Sequence, residues 1–160
     1  MAAIELHPDV APLAFLLGTW AGDGQGSYPT IETFAYREEV TFGHVGKPFV
    51  SYVQRSRLAA TGLPAHSESG YYRMAGARGI ELVLAQPSGI VEVHEGTLNG
   101  TSFALRTVQV LTTATAKSVT AVERLVEVVD GFVMRYELRM AAMGQPLQHH
   151  LAAELRRVEQ

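Results

Sequence analysis

The chain has 160 residues, of which 47% are hydrophobic and 18% are charged, and its formal net charge is -3 at pH 7. This composition excludes a disordered chain, and the length predicts one domain over residues 1–160. The sequence contains no cysteine, which excludes a disulfide framework, a thiolate metal site and a cysteine nucleophile. No run of Lys or Arg indicates a nucleic-acid partner or a membrane-surface patch.

The N-terminal sequence lacks the basic and apolar regions of a signal peptide. The longest apolar stretch, at residues 14–17, is far shorter than the ~20 residues that a membrane span needs. We therefore expect a cytoplasmic protein that does not enter the membrane.

The first predicted element is a short helix over residues 11–17, with Pro12 near its start and Gly18 at its end. After Gly18, apolar and polar residues alternate as they do in strands. The predicted strands cover residues 36–42, 49–58, 69–74, 80–85, 90–97, 103–110 and 119–129. Asn99-Gly100 and Asp130-Gly131 predict hairpin turns. In the strand after Asp130-Gly131, one face is predicted to consist of Phe132, Met134, Tyr136, Leu138 and Met140.

Eight to ten short strands with almost no helix predict an all-β fold, either an antiparallel up-and-down barrel or a sandwich. A barrel of about eight or more strands can enclose a cavity for one small ligand. The C-terminal segment is ambiguous. Leu147, Leu151, Leu155 and Val158 have helical spacing, but residues 147–155 also alternate as in a strand.

Two short stretches are candidates for a functional role. The glycines around Trp20 could suggest a phosphate loop, but no predicted strand precedes them, so we expect Trp20 to close one end of the barrel. His149 and His150 are adjacent, and neighbours on a strand point to opposite faces, so only one of them can face a cavity. A single imidazole suits an axial heme ligand better than a zinc site, which needs three or four protein ligands.

The remaining titratable residues form no recognisable catalytic motif. His7, His44, His66 and His94 are scattered and have no zinc-site spacing. Glu38 and Glu39 are adjacent on a predicted strand, so we expect one to be solvated and the other to be structural. We identify no general acid or base.

Several motifs, taken in order, resemble those of a known family. Gly18, Trp20, Gly22 and Gly24 complete a G-x-W-x-G-x-G motif. It is followed by Tyr-Pro-Thr-Ile at 28–31, Tyr-Arg-Glu-Glu-Val at 36–40, His-Val-Gly-Lys-Pro at 44–48, His-Ser-Glu-Ser-Gly-Tyr at 66–71 and Gln-Pro-Leu-Gln-His-His-Leu-Ala-Ala at 145–153. With this set the sequence resembles the nitrobindins, heme-binding β-barrels that are similar in shape to fatty-acid-binding proteins and are also described as peroxynitrite isomerases.

The resemblance implies an up-and-down barrel of about ten strands that binds heme b. It implies that His150 is the axial ligand of the heme iron, that Thr30 approaches the heme, and that Lys117 contacts a propionate. It also implies that the ambiguous C-terminal segment is the last strand, with His150 pointing inward.

The implied activity is the isomerisation of peroxynitrite to nitrate at a ferric heme, together with binding of nitric oxide. The alternative is a barrel of fatty-acid-binding or lipocalin type that binds nitric oxide or an apolar ligand without turnover. A homodimer is compatible with an exposed barrel surface, although no patch in the sequence identifies an interface.

Overall fold

The computed structural model describes residues 1–159, and in it ten antiparallel strands form a closed barrel. The strands are β1 (Gly18–Tyr28), β2 (Ile31–Gly43), β3 (Val50–Leu58), β4 (Pro64–Ala75), β5 (Gly79–Gln86), β6 (Ile90–Asn99), β7 (Ser102–Thr112), β8 (Val119–Val129), β9 (Val133–Ala142) and β10 (Gln148–Arg157). Each strand pairs with its neighbours in the sequence, and β1 pairs with β10 to close the barrel. The predicted all-β, up-and-down barrel of about ten strands is therefore confirmed.

One end of the barrel is closed by a 3-10 helix, Pro8–Leu16, which begins three residues earlier than predicted. The helix starts after His7, whose Nδ1 accepts a hydrogen bond from the Asp9 N–H. Its apolar side chains Val10, Leu13 and Leu16 are fully buried against the strands. We call this end the capped end.

Trp20 joins the helix to the barrel. Its indole is fully buried, and Nε1 donates a 2.8 Å hydrogen bond to the Leu16 carbonyl. The Arg157 guanidinium lies 4.2 Å above the ring and donates to the Leu17 and Phe15 carbonyls. The end of β10 is therefore tied to the helix at the capped end.

The opposite end, which we call the mouth, carries the connections at residues 29–30, 59–63, 87–89, 113–118 and 143–147. Strands β7 and β8 pair only through residues 102–106 and 123–127, and within the described chain their segments nearer the mouth are not paired with each other. The barrel wall is therefore interrupted beside the mouth, next to the connection that contains Lys117.

The structure differs from the sequence prediction in two further places. Strand β1 was not predicted, because its glycines obscure the alternation of a strand. The predicted inward position of Phe132 is wrong: it lies in the turn before β9 and is 66% exposed. The ambiguous C-terminal segment is the strand β10, as the family resemblance implies, and its helical interpretation is excluded.

The motif glycines permit close contacts between β1 and its surroundings. A Cβ atom on Gly22 would lie 2.1 Å from the Glu154 carbonyl oxygen of β10. A Cβ on Gly24 would lie 2.4 Å from the Tyr36 ring, which packs over this position. These glycines act in the barrel wall by removing steric hindrance. Among residues 1–159, no helix has the length and hydropathy needed to span a membrane.

Candidate functional site

A cavity of about 610 Å³ extends from the mouth into the barrel, and it reaches Phe42 and Phe103 near the capped ends of their strands. This volume lies within the range of about 300–1,000 Å³ that is typical of small-ligand sites. The walls are largely apolar and aromatic, and Phe34, Met140 and Leu151 are examples. The cavity can therefore hold a flat or elongated apolar ligand.

His150 enters this cavity through an irregularity in β10. His149 pairs with Arg139 and Leu151 pairs with Leu138, so His150 is the extra residue of a β-bulge. In a regular strand His150 would face away from Leu151, but both side chains line the cavity. His149 is exposed on the outer face, where its Nδ1 lies 3.2 Å from Glu137 Oε1.

The backbone of β1 fixes the orientation of the His150 ring. Nδ1 lies 3.1 Å from the Ser27 carbonyl, which can only accept, so Nδ1–H donates and the lone pair is on Nε2. Ser27 is itself at an irregular position in the pairing of β1 with β2. Burial lowers the pKa of His150, and this effect exceeds the opposing one of the Ser27 hydrogen bond. The imidazole is therefore held in the neutral tautomer that can ligate iron through Nε2.

Tyr28 supports the same region from β1. Its hydroxyl accepts a 2.8 Å hydrogen bond from the Ala142 N–H and donates to the Met140 carbonyl at 3.0 Å. Since β10 lies between β1 and β9, the Tyr28 side chain crosses β10 and links β1 to β9. The edge of its ring meets the His150 imidazole with 5.3 Å between the ring centroids. Tyr28 thus restricts the position of His150 in the cavity wall.

The other two predicted site residues lie at the mouth. Thr30 is exposed in the connection between β1 and β2, and Lys117 is exposed in the connection between β7 and β8. Both line the same cavity as His150. The fold therefore gathers three residues that are far apart in the sequence around one opening.

The interior part of the cavity, which we call its floor, carries a buried ionic group that the sequence analysis did not identify. Arg124 Nη1 and Nη2 donate to the two carboxylate oxygens of Glu68 at 2.5 and 3.2 Å, and Nη2 also donates to Glu92 at 3.0 Å. We call these three residues the carboxylate–arginine cluster, and each is less than 10% exposed. Burial raises the pKa of Glu68 and Glu92, but the charge of Arg124 and the hydrogen bonds to His66 and His94 together outweigh it, so both pKa values lie below the ordinary range. Both carboxylates are therefore ionised.

Polar neighbours surround this cluster. The Tyr52 hydroxyl donates to Glu68 at 2.7 Å, and Gln86 Nε2 donates to Glu92 at 2.9 Å. His66 Nε2 lies 3.2 Å from Glu68, and His94 Nε2 lies 2.7 Å from Glu92. Burial lowers the pKa of His94 more than Glu92 raises it, so this histidine is neutral.

A second buried group consists of Glu38, Tyr136 and Tyr36. The Tyr136 hydroxyl donates to Glu38, and the hydroxyls of Tyr36 and Tyr136 are 2.7 Å apart. Burial raises the pKa of Glu38 to about 7, although the Tyr136 hydrogen bond acts in the opposite direction. Glu38 is 5% exposed and Glu39 is exposed, so the predicted division between a structural and a solvated carboxylate is confirmed.

The residues around the cavity fit a heme group. His150 offers one neutral imidazole, the walls offer apolar contacts to a porphyrin, and Lys117 offers a cation at the mouth for a propionate. Within residues 1–159, no group of three or more His, Asp or Glu residues is arranged to bind a metal ion. The donor set therefore suits a metal held in a macrocycle with a single protein ligand.

The comparison with protein families decides the classification. A family model described as "THAP4-like, heme-binding beta-barrel domain" matches residues 9–157. The chain belongs to this family. The resemblance to heme-binding β-barrels inferred from the sequence motifs is confirmed, and heme is the cofactor that this family implies.

Proteins with known names or structures are similar to this chain over nearly its full length. "Peroxynitrite isomerase 2" of Mycobacterium marinum is 53% identical over 157 residues, which cover 96% of this chain and 97% of the relative. "Peroxynitrite isomerase" of Nocardia farcinica is 50% identical, with 97% and 94% covered. The crystal structure of Rv2717c from M. tuberculosis superposes with a TM-score of 0.90 at 48% identity, and covers 97% of this chain and 100% of that chain.

Proposed function

We propose that this protein binds heme b with His150 as the axial ligand and isomerises peroxynitrite to nitrate. The observation that carries the proposal is the geometry of His150. This residue is displaced into the cavity by a β-bulge, and its Nδ1–H is held by the Ser27 carbonyl, so that Nε2 is free to ligate. The names of relatives at about 50% identity over nearly the whole chain support the activity.

The proposed contacts with the heme lie in the barrel wall and at the mouth. His150 would hold the iron from β10, and the apolar walls would enclose the porphyrin. Thr30 would contact the heme edge, and Lys117 would pair with a propionate, because both residues line the cavity at its opening. Tyr28 would keep the His150 ring in place through its bridge to β9.

The proposed chemistry needs little acid–base assistance from the protein. Bound ferric heme would supply an open iron coordination position at which peroxynitrite rearranges. Peroxynitrite and nitrate are isomers, so the conversion consumes no proton, oxidant or reductant. The chain's own part would be to present one neutral imidazole and to exclude water from the bound group with apolar walls. The same site would bind nitric oxide.

The first experiment tests ligation by His150. Hemin is titrated into the purified protein, and the absorption spectrum is compared among the wild type, His150→Ala and His149→Ala. We expect a stoichiometric Soret band in the wild type and in His149→Ala, because His149 lies on the outer face. We expect the band to be lost or shifted in His150→Ala. An unchanged spectrum in His150→Ala would refute the ligand assignment.

The second experiment tests turnover. Peroxynitrite decay is followed by stopped flow with the holo wild type, with holo His149→Ala and with an equal amount of free hemin, and nitrate is quantified as the product. We expect faster decay and a higher nitrate yield with both proteins than with free hemin. Decay no faster than with free hemin would leave the alternative of a binding barrel without turnover.

A further inference from the structure

The carboxylate–arginine cluster has no part in the function proposed above, although it forms the floor of the same cavity. Arg124 is the only Lys or Arg that is buried among residues 1–159. On β8 it lies below Val119 and Val122, which face the mouth, and above Val126. Val126 also lines the cavity, so a ligand that enters head first meets this cluster before it reaches the inner end of the cavity.

The charges of the floor do not favour an anion. Two ionised carboxylates face one guanidinium, so the cluster carries a net charge of about -1. His94 is neutral and adds no positive charge. Glu38 lines the same cavity and adds a negative charge when it ionises. A carboxylate inserted to this depth would lose its hydration and meet like charge.

The floor nevertheless contains a potential anion site. The donors Nη1 and Nη2 of Arg124 are occupied by Glu68 and Glu92, and its Nε has no hydrogen-bond partner among the described residues. Glu68 takes two of the three carboxylate contacts of the guanidinium, and Glu92 takes the third. Removing the charge of Glu68 would therefore release more of Arg124 than removing that of Glu92.

We propose that Glu68 and Glu92 determine the ligand specificity of this barrel by occupying Arg124, so that anionic amphiphiles are not bound through their carboxylate at the cavity floor. The cavity then selects ligands with an apolar interior end and any negative charge at the mouth beside Lys117. A heme with its propionates at the mouth meets this requirement. Only this statement about heme rests on the proposed function. A fatty-acid carrier that holds a buried carboxylate does not meet it.

The test uses two amphiphiles with the same tail, dodecanoate and dodecanol, at pH 8. Their affinities for the full-length protein without heme are measured by displacement of Nile red, an uncharged fluorescent probe. The variants are Glu68→Gln, Glu92→Gln and the matched control Glu95→Gln. Glu95 lies on the outer face of β6, so its variant changes the net charge of the chain equally but leaves the floor unaltered.

We expect Glu68→Gln to raise the affinity for dodecanoate about tenfold, which corresponds to about 1.4 kcal/mol. Glu92→Gln should raise it less, Glu95→Gln should not change it, and the affinity for dodecanol should stay within about twofold in all three. The proposal is overturned if dodecanoate binds the wild type as tightly as it binds Glu68→Gln. It is also overturned if the dodecanol affinity rises in parallel, because the gain would then reflect an altered cavity.

A second measurement locates the carboxylate and does not depend on the size of the affinity change. Dodecanoate labelled with carbon-13 at its carboxyl is titrated with acid in each complex, and the chemical shift is followed by NMR. With the wild type, we expect the bound carboxyl to titrate as a solvent-exposed acid at the mouth. With Glu68→Gln, ion pairing to Arg124 should keep it ionised to lower pH. A carboxyl in the wild type that resists titration, or binding of dodecanoate by neither protein, overturns the proposal. Hemin binding by His150 is measured separately, so either proposal can fail without the other.

Discussion

Replacing Glu38 by Gln should change how the stability of the barrel depends on pH. The pKa of Glu38 is raised from its ordinary value of 4.5 to about 7, mainly because the carboxyl is buried. Below pH 4.5 the carboxyl is protonated in both the folded and the unfolded chain. Between pH 4.5 and about 7 the unfolded chain ionises first, so the free energy of unfolding falls as the pH rises. Gln cannot ionise, so Glu38→Gln lacks this decrease.

The size of the effect follows from the two pKa values. Their difference, from 4.5 to about 7, corresponds to about 3 kcal/mol at about 1.4 kcal/mol per pH unit. The stability of Glu38→Gln relative to the wild type should therefore rise by about 3 kcal/mol between pH 4 and pH 8. The Tyr136 hydroxyl can still donate to the amide oxygen, so the hydrogen bond is retained.

The assay is urea unfolding at a series of pH values, monitored through the fluorescence of Trp20, the only tryptophan in the chain. All other titratable groups are shared, so the difference between the two proteins isolates position 38. Glu39→Gln is the matched control: its side chain is exposed on the outer face, and its curve should run parallel to that of the wild type. Parallel curves for Glu38→Gln and wild type would refute the conclusion that burial raises the pKa of Glu38 to about 7.

Three further predictions concern the barrel wall and the proposed ligand. Tyr28→Phe removes the acceptor of the buried Ala142 N–H, so urea unfolding should give a loss of about 1–3 kcal/mol, and an unchanged midpoint would contradict the bridge to β9. Gly22→Ala places a Cβ 2.1 Å from a carbonyl oxygen of β10 and should lower the free energy of unfolding by about 3 kcal/mol or more. In the control Gly62→Ala the new Cβ meets no atom within 4 Å, so the loss should be only the ~1–2 kcal/mol of its positive φ. Equal losses in the same assay would exclude the steric explanation. In an acid titration of the heme complex, the Soret band should persist down to pH ~6.5 and disappear at lower pH. The reason is that the neutral form of His150 is the proposed ligand and that burial lowers the pKa of this residue. Loss of the band above pH ~6.5 would contradict this prediction.

The fold could be predicted from the sequence because eight of the strands alternate clearly and are separated by turns. Strand β1 escaped prediction because it is built from glycines whose function is to allow β10 and the Tyr36 ring to approach, and such contacts leave no periodicity. The misplacement of Phe132 came from extending the alternation of β9 by one residue into the turn.

The site could be predicted only in part. Thr30, Lys117 and His150 were identified by family resemblance, and alternation alone would have placed His150 opposite Leu151, because a bulge cannot be read from a pattern of period two. The carboxylate–arginine cluster was missed, although its signal is present. Arg124 occurs in an otherwise apolar inward-facing row of β8, and Glu92 shares the inward row of β6 with His94. These rows can be recognised as inward only once the register of the strands is known.

The bulge at His150 allows this residue to face the cavity without replacing a residue of the inward row that stabilises the barrel. The inward row of β10 continues through Leu151, Ala153 and Leu155 without His150, and Leu155 lies in the hydrophobic core with Ala153 packed against it. Substitution at this position should therefore cost little folding stability, although it would remove the proposed heme ligand. A single substitution here could therefore remove or exchange the proposed iron ligand while the barrel keeps its fold, so this backbone irregularity would let ligand binding change independently of stability.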